Sequence, residues 1–459
     1  MDKVTGSLGE PYQVSPADVR LIAGSGLFDA TFYAQASRRM GLPANALIRH
    51  YLQNWATCSI EPSRHFDGRR YQNLYLSGQP GWPPLLHYLK HGMFEGLNPW
   101  SEDSVRAWQQ PLSRSPSLAV EVLSGDDWRW PVLRVGDVIH IHVHRKSHIV
   151  FHEFRELLAA AFRYLGVHVV HADETVTGHP ALRLIIAPHD FLFIDPHLTD
   201  GLADQVGLSD CVLLNTEQIY SVWFGKALRY LKAARCVADL NLQTAACLKE
   251  LGISSRFLPL GFIPDYPLFS EALALEPEVS DLAAVGYAHG SGSGGDARPI
   301  DLLWIGSNSK RRQRFLDGNY PTLDEFKSFI RLVNVRGALS GEHPEAISSM
   351  NYAALAQRSK ILLNVHHFDV PYFEWQRLVH FGLFQQACVV TETVSGVDGL
   401  VAGEHYFEAD LNQLPELVKW LLHDVDGIVA RQSVAVQGCK AAREKFQLIG
   451  TLRDCFSVI

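Results

Sequence analysis

Asp301-Leu-Leu-Trp-Ile-Gly-Ser-Asn-Ser-Lys-Arg-Arg312 decides the fold. Leu302 to Ile305 is an apolar run with the bulk of a buried strand, Gly306 ends it, and the basic residues open a helix. Glycine lets a backbone approach an anion closely, and the free amides at a helix start, with Lys and Arg side chains, can hold a diphosphate. Gly306, Ser307, Asn308, Lys310, Arg311 and Arg312 are therefore candidate phosphate ligands. The competing reading is a solvated basic helix start. No GxxxxGK[ST] occurs, so a P-loop nucleotidase is not supported.

Outward from this stretch the same texture continues. Leu332 to Val335, Ile361 to Val365 and Cys388 to Thr391 read as further strands. Upstream, Val138 to His144, Val167 to Val170, Leu182 to Ala187, Cys211 to Leu214 and Cys236 to Ala238 do the same, with a helix over 148–165. Short apolar strands alternating with helices predict parallel α/β sheets. Gly290-Ser-Gly-Ser-Gly-Gly295 interrupts the pattern with a linker composition. The expected organisation is a first α/β domain at 116–275, a linker at 276–299, a second α/β domain at 300–440 and a C-terminal helix at 441–459. Two such domains imply a cleft, with ligands beyond the carboxyl ends of the strands.

The densest group of polar residues is Ile361-Leu-Leu-Asn-Val-His-His-Phe-Asp-Val-Pro-Tyr-Phe-Glu-Trp-Gln-Arg377. Asn364 and His366 fall at the polar end of a strand, and Glu374 and Arg377 are three apart at the next helix start. A carboxylate there can take the hydroxyls of a ribose and Arg377 can reach phosphate. The alternative is a surface ion pair worth only ~0.2–0.5 kcal/mol. In the first α/β domain, Ser147-His148, Pro188-His-Asp190 and Asn215-Thr-Glu-Gln218 follow strands, where a site or helix caps belong. His140, His142 and His144 share a strand face but spread over ~13 Å, too far for one metal ion. Asp424-Val-Asp426 reads as a cap after an apolar helix.

The N-terminal part, expected over 1–115, carries a repeat. Phe28-Asp29, Tyr33 and His50-Tyr-Leu52 return as Phe66-Asp67, Tyr71 and His87-Tyr-Leu89, and Glu61-Pro62 and Asn98-Pro99 close the copies. Each copy predicts two short helices, with Asp29 and Asp67 as N-caps and Leu47, Ile48, Tyr51 and Leu52, or their counterparts, on one face. A unit this small must bury that face on a neighbour. The recurring histidine reads as a hydrogen-bonded packing residue, and the aromatic stretch from Gly78 to Trp100 as a possible sugar or protein surface.

Composition excludes several classes. With 459 residues, the chain can bury large cores without disulfides or metals. A formal charge of −8 argues against a general nucleic-acid binder. Seven scattered cysteines without a CxxC fit buried thiols in a reducing cytoplasm. Neither a signal-peptide pattern nor an apolar run of spanning length is present.

Leu214 to Gln218, Leu258 to Phe262, Asp301 to Ser307 with Arg311 and Arg312, Lys360 to His366, Glu374 with Arg377, Val389 to Glu392 and Phe407 to Leu422 together resemble bacterial GT-B glycosyltransferases of polysaccharide biosynthesis. The repeat resembles modules found beside such transferases. The resemblance implies two Rossmann-like domains facing a cleft, the second holding a nucleotide-sugar and the first a glycan or protein acceptor. No cofactor, metal or nucleic acid is implied. The setting is cytoplasmic, with a peripheral inner-membrane association compatible with the family. By resemblance, Glu374 would bind ribose or the donor sugar, and Arg312 and Arg377 the diphosphate. An inverting reaction needs a base, for which Asp190, Glu217 and His148 are candidates. Gly382 stands eight residues after Glu374, so the family's paired-glutamate helix is not reproduced and stereochemistry does not follow. The alternatives are a non-catalytic glycan- or protein-binding scaffold of the same fold and a nucleotide-sugar epimerase.

Overall fold

The computed structural model describes residues 12–25, 27–77, 81–92, 97–104, 130–173, 179–194, 207–219, 221–275, 298–334, 346–367, 371–394 and 399–458. Gly26, Asp369 and most of the expected linker lie outside them, as does part of the aromatic stretch before Trp100.

The N-terminal module consists of α1 (Pro16–Ser25), α2 (Ala30–Ala36), α3 (Ala44–Asn54), α4 (Gly68–Tyr75) and α5 (Pro84–His87), the last running on as a π-helical turn over Tyr88–Gly92. The sequence repeat is a repeat of bonds. Asp29 and Asp67 cap α2 and α4, accepting from Phe32 N and Arg70 N. Their own amides donate to Pro62 O and Pro99 O, both at 2.9 Å. Tyr33 Oη pairs with His50 Nδ1 at 2.9 Å and Tyr71 Oη with His87 Nδ1 at 3.0 Å. The two histidines are thus bonded within the packing, as their recurrence predicts. Leu47, Ile48, Tyr51, Leu85, Leu86 and Tyr88 are buried in one core with Leu213, Phe224 and Leu228 of the first α/β domain. Trp100 closes that interface, donating from Nε1 to Ile219 O at 2.8 Å.

The first α/β domain runs β1 (Val138–His142), α6 (Ile149–Tyr164), β2 (His168–Ala172), β3 (Leu182–Ile186), α7 (Pro188–Phe191), β4 (Cys211–Asn215), α8 (Val222–Ala233), β5 (Cys236–Asp239), α9 (Leu242–Glu250) and β6 (Ser255–Phe257). Its six parallel strands lie in the order β2-β1-β3-β4-β5-β6. The second contains β7 (Ile300–Ser307), α10 (Lys310–Leu323), β8 (Ser328–Val333), α11 (Ser349–Gln357), β9 (Ser359–Asn364), β10 (Cys388–Glu392), β11 (Phe407–Ala409), α12 (Leu414–His423), α13 (Val425–Lys445) and α14 (Leu448–Phe456). Its five strands are ordered β11-β10-β9-β7-β8, again parallel. The two-sheet α/β architecture expected of a GT-B chain is present, preceded by the helical module.

The expected boundary at 441 needs correction. It falls inside α13, and the short helix beyond it, α14, packs back on the first domain. Leu133 N donates to Phe456 O at 3.1 Å, and the Phe456 ring stands edge-on to Phe162 at 5.5 Å. An apolar stripe at the end of the chain finds its partner on the first domain because α14 alone is too short to be stable. Asp424 caps α13 by accepting from Asp426 N and Gly427 N. Among the described residues no group of three or more His, Cys, Asp or Glu stands ready to hold a metal ion, and no helix is long and apolar enough to cross a membrane.

Candidate functional site

A cavity of about 420 Å³ lies between the carboxyl ends of the two sheets. Its first wall is built by the turns after β1, β4 and β5, its second by those after β7 and β9 and by the start of α11. Parallel strands deliver their following turns to one edge, which explains why residues so distant in sequence meet there.

On the first wall Asn215, at the end of β4, is fully buried. Its Nδ2 donates to Asp239 Oδ2 at 2.8 Å and to Glu217 O at 2.6 Å, fixing the turn that carries Thr216, Glu217 and Gln218. Burial pushes the Asp239 carboxyl well above its ordinary value. Glu217 projects into the cavity. Its Oε2 accepts from Ser221 Oγ at 2.6 Å, and its Oε1 lies 3.4 Å from His189 Nε2. Burial pushes the Glu217 carboxyl up to about 7, opposed by the Ser221 bond and reinforced by Asp190. Thr216 Oγ1 and Gln218 Oε1 are buried on this wall without a hydrogen-bond partner.

His148 lines the same wall as the N-cap of α6, and burial lowers it to about 4, so it is neutral. Its Nδ1 accepts from Val150 N at 3.2 Å, which puts the ring proton on Nε2. In that tautomer the other ring nitrogen, Nε2, is a donor. Asp190 lies outside the cavity lining and accepts the His148 amide at 3.1 Å. Of the three proposed bases, then, two reach the cavity, and one of these presents a basic atom.

The second wall is a lattice of ion pairs. Glu374 is clamped between Arg312, at 3.0 Å to Oε1, and Arg377, which bonds Oε2. Tyr372 Oη also donates to Oε1. Burial opposes ionisation of Glu374, but Arg377 and Arg312 outweigh it and hold the carboxyl below its ordinary value. Arg377 further donates to Asn364 Oδ1 at 2.7 Å. Gly306 is what lets this lattice lie against the strand: a Cβ there would stand 2.6 Å from Arg377 Nη2 and 3.0 Å from Arg312 Nη1. The helix expected to open beside Glu374 is a π-helical turn over Gln376–Gly382. Gly382 is fixed by packing, since a Cβ would meet Val389 Cγ2 at 2.3 Å. This explains why no glutamate occupies that position.

The phosphate-loop expectation divides on inspection. Gly306, Ser307, Glu374 and Arg377 line the cavity. Arg312 does not: only 1% exposed, it donates to Val365 O at 2.8 Å, Ser307 O at 2.8 Å and Glu374, so its hydrogen bonds hold the loop rather than a ligand. Arg311 is turned to Glu392, with contacts of 2.7 and 2.8 Å. Asn308 bonds Gln313 and Asn334, and His366 bonds Glu392 through its amide and Thr393 O through Nε2. Lys310 is exposed at the start of α10. Asn364 is buried behind Arg377 and also donates to Thr391 Oγ1.

The structure adds residues that no spacing announced. Tyr352, Phe373, Trp375 and Phe381 form apolar parts of the cavity wall. Glu153, on α6, accepts from Ser349 N at 2.8 Å and from Ser349 Oγ, linking the first domain to the start of α11 in the second. Trp375 Nε1 donates to Leu260 O at 2.9 Å, a second bond between the domains. The only sequence signal for the first of these was Ser348-Ser349 ahead of an apolar run, a cap pattern.

A two-domain α/β protein with a polar cleft between parallel sheets is the class that fold and site define. No protein-family model and no curated protein matches the chain. Among solved structures it is similar to Anabaena Alr3699/HepE in complex with UDP-glucose, with 11% identity, 70% of this chain and 98% of that one covered, and a TM-score of 0.45. It is also similar to an alpha-glucosyltransferase in complex with UDP and a 13-mer DNA, with 9% identity, coverages of 70% and 99%, and a TM-score of 0.43. A third likeness is to sucrose-phosphate synthase from Thermosynechococcus elongatus, with 12% identity, coverages of 69% and 96%, and a TM-score of 0.41.

Proposed function

We propose that the chain is a nucleotide-sugar-dependent glycosyltransferase that moves a sugar to a hydroxyl of a glycan or protein. The observation that carries this reading is the asymmetry of the cleft. One wall presents a carboxyl raised to about 7 and the other an arginine beside a glycine-ended strand. A carboxylate with that affinity for protons suits removal of a proton from an acceptor hydroxyl near neutral pH. A fixed guanidinium suits the negative charge that grows on a departing diphosphate.

In this mechanism Arg377 and the backbone at Gly306 and Ser307 hold the diphosphate. Glu374 positions Arg377, since both its oxygens already carry arginine bonds. Glu217 takes the acceptor proton, Ser221 orients it, and His148 donates from Nε2 to a ligand oxygen. The carboxyl proton then leaves to solvent after the glycosidic bond forms. Cationic hydrogen bonds supply the charge neutralisation, so transfer proceeds without a divalent metal. We place the reaction in cytoplasmic polysaccharide assembly, peripheral to the inner membrane, with no nucleic-acid partner.

The test is incubation of the purified chain with a panel of nucleotide-sugars and glycan acceptors, with products followed by mass spectrometry. Transfer that survives excess EDTA is expected. Isomerised donor without transfer would instead indicate an epimerase, and donor binding without turnover a scaffold.

A further inference from the structure

The second domain has another concavity, at the opposite edge of its sheet. It measures about 560 Å³ and gathers residues just before or at the starts of β7, β9 and β10, together with one face of α13. Six residue steps along β7 lead from Ile300 to Gly306, which puts the two sites ~20 Å apart. Arg298, Lys360, Arg431 and Arg443 line it, and Glu271 is the carboxylate among its lining residues.

Arg298 and Arg443 are held in place without being neutralised. Arg298 donates to the carbonyls of Ala356, Ser359 and Gln385. Arg443 donates to those of Phe384 and Phe269 and lies 4.9 Å from the centre of the Phe262 ring. Among the described residues no carboxylate pairs with either. Carbonyl bonds orient a guanidinium but bring no full counter-charge, and a cation removed from water without one is unfavourable. Arg443 Nε is also buried with no partner. Arg431 is 3% exposed, with Nε on Leu421 O, and adds a further positive charge beside Arg298. Burial and Arg431 together lower Arg298 to about 10, the direction that crowding of cations produces. Gln386 and Gln432 on the same wall offer amides suited to hydroxyl groups.

We propose that this cavity binds a phosphorylated small molecule, its phosphate held by Arg298 and Arg443 and its hydroxyls by the glutamine amides, as a second site separate from the cleft. The cavity is too large for one phosphate and polar enough for a phosphorylated sugar. The proposal is independent of the transfer activity.

Inorganic pyrophosphate and a hexose phosphate serve as probes, each compared with NaCl at equal ionic strength. Hydrogen–deuterium exchange on the full chain should show slower exchange at 383–388 and 431–443 with either probe. No slowing relative to NaCl, or slowing confined to 305–312 and 371–377, overturns the proposal. Arg443→Gln should weaken calorimetric affinity for pyrophosphate about tenfold or more, the effect of losing one charge-assisted bond. Unchanged affinity in the folded variant also overturns it. If that variant does not fold, the exchange map on the natural chain decides alone.

Discussion

On the first domain's wall the titratable groups are acids and neutral imidazoles: Glu217, His148 and His189, with Asp190 and Asp239 behind them. Burial has moved each toward its uncharged form. On and behind the second domain's wall the groups are equally buried yet charged, because Glu374 stands between Arg312 and Arg377 as the counter-ion of both. Burial without a counter-ion favours the uncharged form, which brings proton exchange by the Glu217 carboxyl near neutral pH, whereas burial with one makes a rigid, permanently ionised frame. The first wall is built for proton transfer and the second for holding charge still.

The sharpest way to break this contrast is Glu217→Gln. The amide keeps the shape and cannot take a proton, so turnover should fall by about 10²–10⁴-fold with donor affinity unchanged. Initial rates and donor calorimetry on the same preparation check this. A loss of less than tenfold would move the base elsewhere. Next comes Glu374→Ala, which removes the carboxylate shared by two buried guanidinium groups. It should lower stability by about 3–5 kcal/mol, read as a shift of the urea midpoint. The sequence alone favoured a ligand-contacting Glu374. An unchanged midpoint would restore that view.

The pH dependence of stability separates the walls by sign. The Glu217 carboxyl titrates near 7 in the folded chain, above its ordinary 4.5. Between those values the folded state holds the proton that the unfolded state has lost. Its contribution is therefore fully present below pH ~4.5 and is lost as pH rises through ~7. Glu374 titrates below its ordinary value, so its contribution is present above ~4.5 and is lost as pH falls through the folded value. Subtracting the stability curve of Glu217→Gln from that of the natural chain should give a difference that falls from pH 5 to 7. A flat or rising difference would show that Glu217 is not held protonated by burial.

How much of this was written in the sequence follows from which interactions are local. The strands were legible because parallel-sheet interiors are continuous apolar runs, and the repeat because its caps, ring pairs and proline carbonyls recur together. The turns after β1, β4, β7 and β9 were legible as places where a ligand belongs. The allotment of work within them was not. Arg312 and Arg377 look alike in sequence, but one is sunk against Val365 O and the other faces the cleft. Asp190 and Glu217 both follow strands, and only the tertiary course of α7 turns the first toward the His148 amide. Contacts such as Glu153 to Ser349 join residues 196 apart and leave no periodicity behind. The boundary expected at 441 lies inside α13, and a helix that runs on through such a point carries no breaker there to mark it.

The smallest effect concerns Ser221, whose hydroxyl donates to Glu217 Oε2 at 2.6 Å and also accepts from Trp223 N at 3.0 Å as the N-cap of α8. Ser221→Ala removes both bonds. Loss of the cap should lower stability by about 1 kcal/mol. Loss of the donor takes away the interaction that favours the charged carboxylate, so the Glu217 carboxyl should rise further. Hydrogen bonds to charged groups contribute about 1.5–3 kcal/mol, and one pH unit corresponds to about 1.4 kcal/mol. The rising limb of the rate profile should therefore move upward by about 1 pH unit, while the plateau rate at high pH stays close to that of the natural chain. Ser221→Thr keeps a hydroxyl and should restore the original midpoint. A profile that drops uniformly at all pH values in Ser221→Ala would mean that Ser221 only caps α8, and that the proton affinity of Glu217 is set by burial and Asp190 alone.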